Sequence, residues 1–330
     1  MSAVGLRRLQ YAIGGCLQRH FRAGWVVHSR QRTRSVVHRC ARGRRNLPWR
    51  ASGVGMRDNR VICRTKHLKE EGWSDWQIRK ALSRGEIARL RRGWYALGPV
   101  DSKVVTAVTK GGALSCISAL GEYGVFVPIH HTLHIRRPER GHRQRGGCRG
   151  HGDHAPVNSG IDSPAQALRC AVKCMPAEWI VVIIESIRVK EVMTTAQILD
   201  AIAGVPKWIN RLLQKVDKGE SGTETLVRLR LRALGIRLTC QVEIDGVGRV
   251  DMIIGDRLVI EVDGVEFHSS PEQFEDDRER DRRLTALGYT VVRLSCKQVM
   301  YGWGEALADI LGMVRQGIHR RRRNRWRTLV

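Results

Sequence analysis

Five carboxylates in the last third of this 330-residue sequence sit where charge is out of place. Asp251 lies in an otherwise apolar run with Met252, Ile253 and Ile254, and Glu261 interrupts the apolar stretch Leu258 to Val262, with Asp263 two residues on. Residues i and i+2 of a strand share a sheet face, so Glu261 and Asp263 are expected to point the same way. Asp251 joins them if the turn between the strands is symmetric about Asp256. Gly255-Asp256-Arg257 is such a three-residue loop, with a glycine for unusual φ. Three carboxylates on one face repel one another unless a cation lies between them, and oxygen donors of this kind suit Mg²⁺ or Mn²⁺. His268 is a candidate acid/base or a donor behind the acids. Asp277 and Asp281 fall on the helix side that Phe274, Leu284 and Leu287 mark as buried, where charge is costly without a partner. Arg280 could pair with Asp277, orient it or reach a phosphate; a solvated salt-bridge face is the competing reading of these three. Asp251 and Glu261, inside strands, show no basic neighbour in sequence.

The elements that must hold these residues can be read on either side. Gly222-Thr223-Glu224 opens a helix to Leu234, with Leu226, Leu229, Ala233 and Leu234 as its apolar stripe and Gly235 as its stop. Strands are expected at Arg237 to Ile244, Arg249 to Ile254 and Leu258 to Asp263. A helix from about Pro271 to Leu287, a buried-type strand from Tyr289 to Leu294 and a final helix from Gln298 to Val314 complete the order α-β-β-β-α-β-α. Hairpin-linked strands between helices form the core of restriction-endonuclease-like enzymes. The runs RVDMIIGDRLVIEVDGVEFH and FEDDRERDRRLTALGYTVVRLSCKQV resemble the very-short-patch-repair-endonuclease-like proteins of the PD-(D/E)XK nuclease superfamily, over roughly residues 219–300. That resemblance makes Asp251 and Glu261 the metal-binding acids and Glu224 the helix glutamate. Asp263, His268, Asp277 and Arg280 take the flanking positions. The superfamily's usual E-x-K lysine is Asp263 here, a departure that the histidine-using repair branch tolerates.

The N-terminal half reads differently. Thr65 to Glu71 forms a short helix closed at Gly72, and Ser74 with Gln77 makes a capping box for a second, striped by Ile78, Ala81 and Leu82. Ile87 to Arg91 and Trp94 to Leu97 can pair about a turn at Arg92-Gly93. Two helices and a basic hairpin fit a winged helix-turn-helix, with Arg79, Lys80 and Arg84 on the helix and Arg89, Arg91 and Arg92 on the wing facing DNA. A helical domain with a solvated basic face is the competing reading. The run GWSDWQIRKALSRGEIARLRRGWYAL, followed by GGALSCISALGEYGVFVP and HTLHIRRP, resembles the N-terminal domain of AbiEi-type antitoxins, over about residues 58–215. The resemblance implies promoter binding and a cognate toxin or operon partner. Residues 163–215, with Ser163 as N-cap, read as a helical connector. The expected architecture is therefore multidomain, α+β and α/β: residues 56–155 winged helix, 156–218 connector, 219–318 nuclease-like, 319–330 basic tail.

The net charge of +26 is unevenly spread. Residues 1–55 hold twelve arginines and no acid, residues 56–218 carry +12, residues 219–318 carry −4 and the last twelve residues carry +6. The Arg-only leader reads as a nucleic-acid arm, a transit segment or an over-extended start before Met56. The longest apolar run, Trp179 to Ile184, is far shorter than the roughly eighteen residues a membrane helix needs. Nine cysteines in no pairing rhythm, with no secretory signal, read as reduced thiols in a cytoplasm. Cys170 and Cys174 are expected on one buried helix face. His142, Cys148, His151, Asp153 and His154 lie close together, but their spacing matches no closed zinc pattern and a loop is the expected outcome. Two functions compete: a DNA-binding protein with a metal-dependent endonuclease-like domain, and an antitoxin-like repressor with an inactive nuclease fold.

Overall fold

The computed structural model describes residues 62–138, 147–149, 155–217, 221–263 and 271–321. Strand β1 (Ile62–Arg64) runs into helix α1 (Thr65–Glu70), followed by α2 (Asp75–Ser83), β2 (Ala88–Arg91) and β3 (Trp94–Ala96). Ser74 caps α2 as its capping box requires: its hydroxyl accepts from Gln77 N–H at 3.2 Å, and Gln77 Oε1 accepts from Ser74 N–H at 2.7 Å. The three strands form an antiparallel sheet ordered β1-β3-β2. Leu68, Ile78, Ala81, Ile87 and Tyr95 form a small core beneath the two helices.

Helix α3 (Ser102–Thr109), β4 (Ala113–Leu114), α4 (Cys116–Glu122), β5 (Ile135–Arg136), α5 (Pro164–Cys174), α6 (Ala177–Val189), α7 (Thr195–Ala201) and α8 (Lys207–Leu213) come next. One apolar cluster extends from Ala107 through Leu120 and Leu168 to Leu212, so the junction expected near residue 155 lies inside a shared core. Arg136 and Asp162 form a buried bidentate pair within this region, at 2.6 and 2.7 Å.

The last unit is α9 (Gly222–Ala233), β6 (Leu238–Ile244), β7 (Gly248–Ile254), β8 (Leu258–Asp263), α10 (Pro271–Ala286), β9 (Thr290–Ser295), α11 (Cys296–Tyr301) and α12 (Trp303–Arg315). The expected final helix is two, parted at Gly302, which serves as C-cap of one and N-cap of the next. The sheet runs β6-β7-β8-β9, antiparallel except for the parallel β8–β9 pair that the α10 crossover allows. Met252, Ile254, Leu258, Ile260 and Val262 pack with Leu226, Val299 and Ile310 from α9, α11 and α12. Val250, Ile253 and Val259 pack with Leu284 of α10. Helices thus cover both faces of a mixed sheet, consistent with a restriction-endonuclease-like α/β domain. Leu287, expected on the buried side of α10, is exposed because the helix has already ended at Ala286. Among the described residues, no helix is long and apolar enough to cross a membrane.

Candidate active site

The register places the two strand acids as the symmetric loop requires. Ile254–Leu258, Ile253–Val259 and Met252–Ile260 pair about Asp256, and the next positions outward are Asp251 and Glu261. The ladder stops there. The Val262 N–H, which would otherwise bond the backbone of β7, donates at 2.8 Å to Asp251 Oδ2. The Asp251 carboxylate is therefore wedged where the two strands part, bound to the strand that carries Glu261.

Glu261 is buried, and its Oε1 has no hydrogen bond. Arg280 Nη2 lies 3.0 Å from that oxygen, an ion contact without hydrogen-bond geometry. Arg280 also donates to the Arg249 carbonyl, so α10 is tied to β7 at the level of the acids. Burial, then the Asp251 charge, push the Glu261 carboxyl up to about 7, against the pull of Arg280. The sequence reading gave Glu261 no basic neighbour; Arg280 is one, brought from α10 by the tertiary fold.

Asp263 does not close the trio. Among the described residues, one group of three or more potential ligand side chains brings all its ligand atoms within 4.8 Å of one another, and it does not include Asp251, Glu261 and Asp263. Asp263 instead lies 3.5 Å from Arg293, which is also 3.8 Å from Asp277 and 2.8 Å from Asp281. Arg293 is the register neighbour of Glu261 in the β8–β9 ladder, and it gathers Asp263, Asp277 and Asp281, while Arg280, offered by the sequence to Asp277, contacts Glu261. Its own proton is held more firmly by the hydrogen bond to Asp281, against desolvation. Asp277 and Asp281 are thus ion-paired to the sheet.

Glu224 lies in the first turn of α9, whose N-cap Ser221 accepts from the Glu224 N–H at 3.2 Å. The Gln241 amide donates to Glu224 Oε2 at 2.9 Å. Gln241 sits at φ +52, between the Cys240–Met252 and Val242–Val250 pairs and so beside Asp251. This left-handed residue ties the helix glutamate to β6, the strand next to the one carrying Asp251. Gln241 carries no signal in the sequence, since no pattern announces positive φ in a non-glycine residue. His268 lies outside the described residues.

The basic residues of the N-terminal unit divide. Arg79, Arg84, Arg89 and Arg92 are exposed. Lys80 instead lies 4.3 Å from the centre of the exposed Trp76 ring, and Arg91 lies 4.8 Å from that of the buried Trp94. Burial and then the Arg64 charge lower the pKa of Arg91.

The mixed sheet, covered on both faces, is consistent with a nuclease-like C-terminal domain. Comparison with protein families agrees: residues 224–313 match a restriction endonuclease-like family, REase_MTES_1575. No curated protein matches the chain.

Proposed function

We propose that the chain binds DNA and hydrolyses its phosphodiester bonds with a divalent cation, Mg²⁺ or Mn²⁺, held by Asp251 and Glu261. The observation that carries this reading is the unbonded, buried Glu261 oxygen beside a carboxylate fixed in the parted ladder. Two hard oxygen donors, one of them without a hydrogen bond, fit a small divalent cation. When bound, such a cation polarises the phosphodiester and lowers the pKa of an attacking water. Arg280 stands 3.0 Å from Glu261 and supplies positive charge in a site whose family lysine position is Asp263. Glu224, steadied by Gln241, would add a carboxylate from α9. His268 would move protons, and Arg293 would hold Asp263, Asp277 and Asp281 in place. A winged helix within residues 56–155, presenting Arg79, Arg84, Arg89 and Arg92 to phosphates, would deliver the substrate in the cytoplasm.

The experiment is nicking of supercoiled plasmid by the full chain with Mg²⁺ or Mn²⁺, beside Asp251→Asn. Wild-type nicking that falls by at least about 100-fold in the variant supports the enzyme. The Arg280–Glu261 contact favours a second reading, since it already neutralises one ligand: an antitoxin-like repressor with an inactive nuclease fold and a toxin partner. Absence of nicking by both proteins, with promoter binding intact, would establish that reading instead.

A further inference from the structure

Outside the acid site, one cluster has the composition and spacing of a metal centre. The ligand atoms of Cys116, His134, Cys148 and Cys174 all lie within 4.8 Å of one another. We propose that these four residues bind a structural zinc ion, Cys₃His, that locks the middle of the chain.

The spacing of the ligand atoms suits a single ion of zinc's size. The Cys148 and Cys174 sulfurs are 3.6 Å apart, and His134 Nδ1 is 3.2 Å from Cys148 Sγ. A tetrahedron with Zn–S near 2.3 Å and Zn–N near 2.0–2.1 Å has edges of about 3.8 Å between sulfurs and about 3.6 Å between sulfur and nitrogen. The sulfurs are too far apart for a disulfide, whose S–S length is about 2.0 Å, and all three cysteines are free. Three thiolates and an imidazole form a soft, four-coordinate set, which suits zinc over magnesium or calcium and leaves no position open for a substrate.

Each ligand comes from a different element, and each is placed by its backbone. Cys116 begins α4 at φ +53, an uncommon conformation for a non-glycine residue. His134 precedes β5; its N–H donates to Ser118 Oγ and its carbonyl accepts from Ser115 N–H, both at 2.9 Å. His130 meets the His134 ring edge-on, with centroids 5.6 Å apart, and its Nε2 lies 2.8 Å from the same Ser118 oxygen. Cys148 is held at an isolated bridge to Arg136, its N–H donating to the Ile135 carbonyl at 2.9 Å. Cys174 is the last residue of α5. An ion here would cross-link α4, β5, the Cys148 bridge and α5 over one core.

The four positions are 18, 14 and 26 residues apart, with no paired-cysteine knuckle, so spacing alone does not reveal them. Of the sequence cluster His142, Cys148, His151, Asp153 and His154, Cys148 alone lies among the described residues. Its partners are distant in sequence instead. Cys174, expected on a buried face with Cys170, is exposed, while Cys170 is buried.

The test uses the full chain purified from zinc-supplemented medium without chelator. Elemental analysis should find about one zinc per chain, and apoprotein titrated with Co²⁺ should show thiolate charge-transfer and tetrahedral d–d bands. Cys174→Ser, at the exposed helix end, should lose the zinc and the Co²⁺ bands of the four-ligand site, whereas Cys170→Ser should keep both. Asp251→Asn should also keep the zinc, which separates this centre from the acid site. Folded wild type without zinc and without the Co²⁺ bands would overturn the proposal, as would unchanged zinc content in Cys174→Ser. Should Cys174→Ser fail to fold, the Co²⁺ spectrum of the wild-type apoprotein decides: thiolate bands support the centre and their absence sinks it.

Discussion

Glu261 ionises inside a sheet, and the cost has a direction that solution measurements can read. Its carboxyl sits at about 7 in the folded chain against an ordinary value of 4.5, first through burial and then through the Asp251 charge. A raised acid means the folded state holds the extra proton, so this contribution is fully present below pH 4.5 and lost as pH rises through about 7. In the presence of chelator, unfolding by urea should show stability falling across that window by about 3 kcal/mol. Glu261→Gln, which cannot ionise, should lack that fall; an equal slope in the variant would assign it to other groups. The pair Asp251 and Glu261 was legible because a charge inside an apolar strand stands out against its neighbours. Arg280 was not legible as the partner of Glu261. Residues 278–283 contain four arginines, and sequence does not tell which of them the helix turns toward the sheet. Arg293 was missed for a related reason: a strand arginine reads as solvent-facing until the acids of α10 are folded over it.

The loop that sets the acid register is a separate point of failure at the scale of the element. Gly255 has φ +62, and a Cβ there would lie 2.3 Å from the His319 carbonyl oxygen, which also accepts from the Asp256 N–H at 2.8 Å. Gly255→Ala therefore meets both backbone strain and a backbone clash, whereas Gly246→Ala, at φ +73 with open space around it, meets strain alone. Urea unfolding should show Gly246→Ala costing about 1 kcal/mol and Gly255→Ala costing clearly more, about 2–3 kcal/mol. Equal costs would mean the loop moves away from His319 freely. This hairpin was readable because a three-residue turn and its flanking apolar runs fix their own register. The strand limits Leu258 to Asp263 came out as expected for the same reason. The four-residue cluster around Cys148 was unreadable because it joins elements whose contacts are set by packing, not by local pattern.

At the scale of the whole molecule, α6 belongs to two cores at once. Its Ile183, Ile184 and Ile187 pack in the cluster that reaches from Ala107 to Leu212, while its Val182 packs with Leu226 and Met252 of the nuclease-like part. A helix apolar on nearly every side must be covered on every side, which is what the longest apolar run in the sequence encodes. Between the two cores, Glu185 of α6 pairs with Arg228 of α9, both almost fully buried. Glu185 also accepts from the Thr225 hydroxyl and, at 2.7 Å, from the Asp217 N–H. Trp179 stacks on Phe126 at 6.0 Å, and the Phe126 ring occupies the space a side chain at Gly222 would need. The restriction-endonuclease-like match begins at residue 224, so it covers α9 without the helix that buries it. A fragment starting at residue 221 would leave the Arg228 guanidinium without Glu185 and the Leu226 face without Val182, and it should not fold alone. In the full chain, Glu185→Ala strands a buried cation and should cost about 3–5 kcal/mol, whereas adding Arg228→Ala should recover part of that loss. Urea unfolding followed by far-ultraviolet dichroism and tryptophan fluorescence should give one coincident transition that moves as a unit in both variants. Two transitions, with only one of them shifted, would show instead that α6 joins two independently stable bodies.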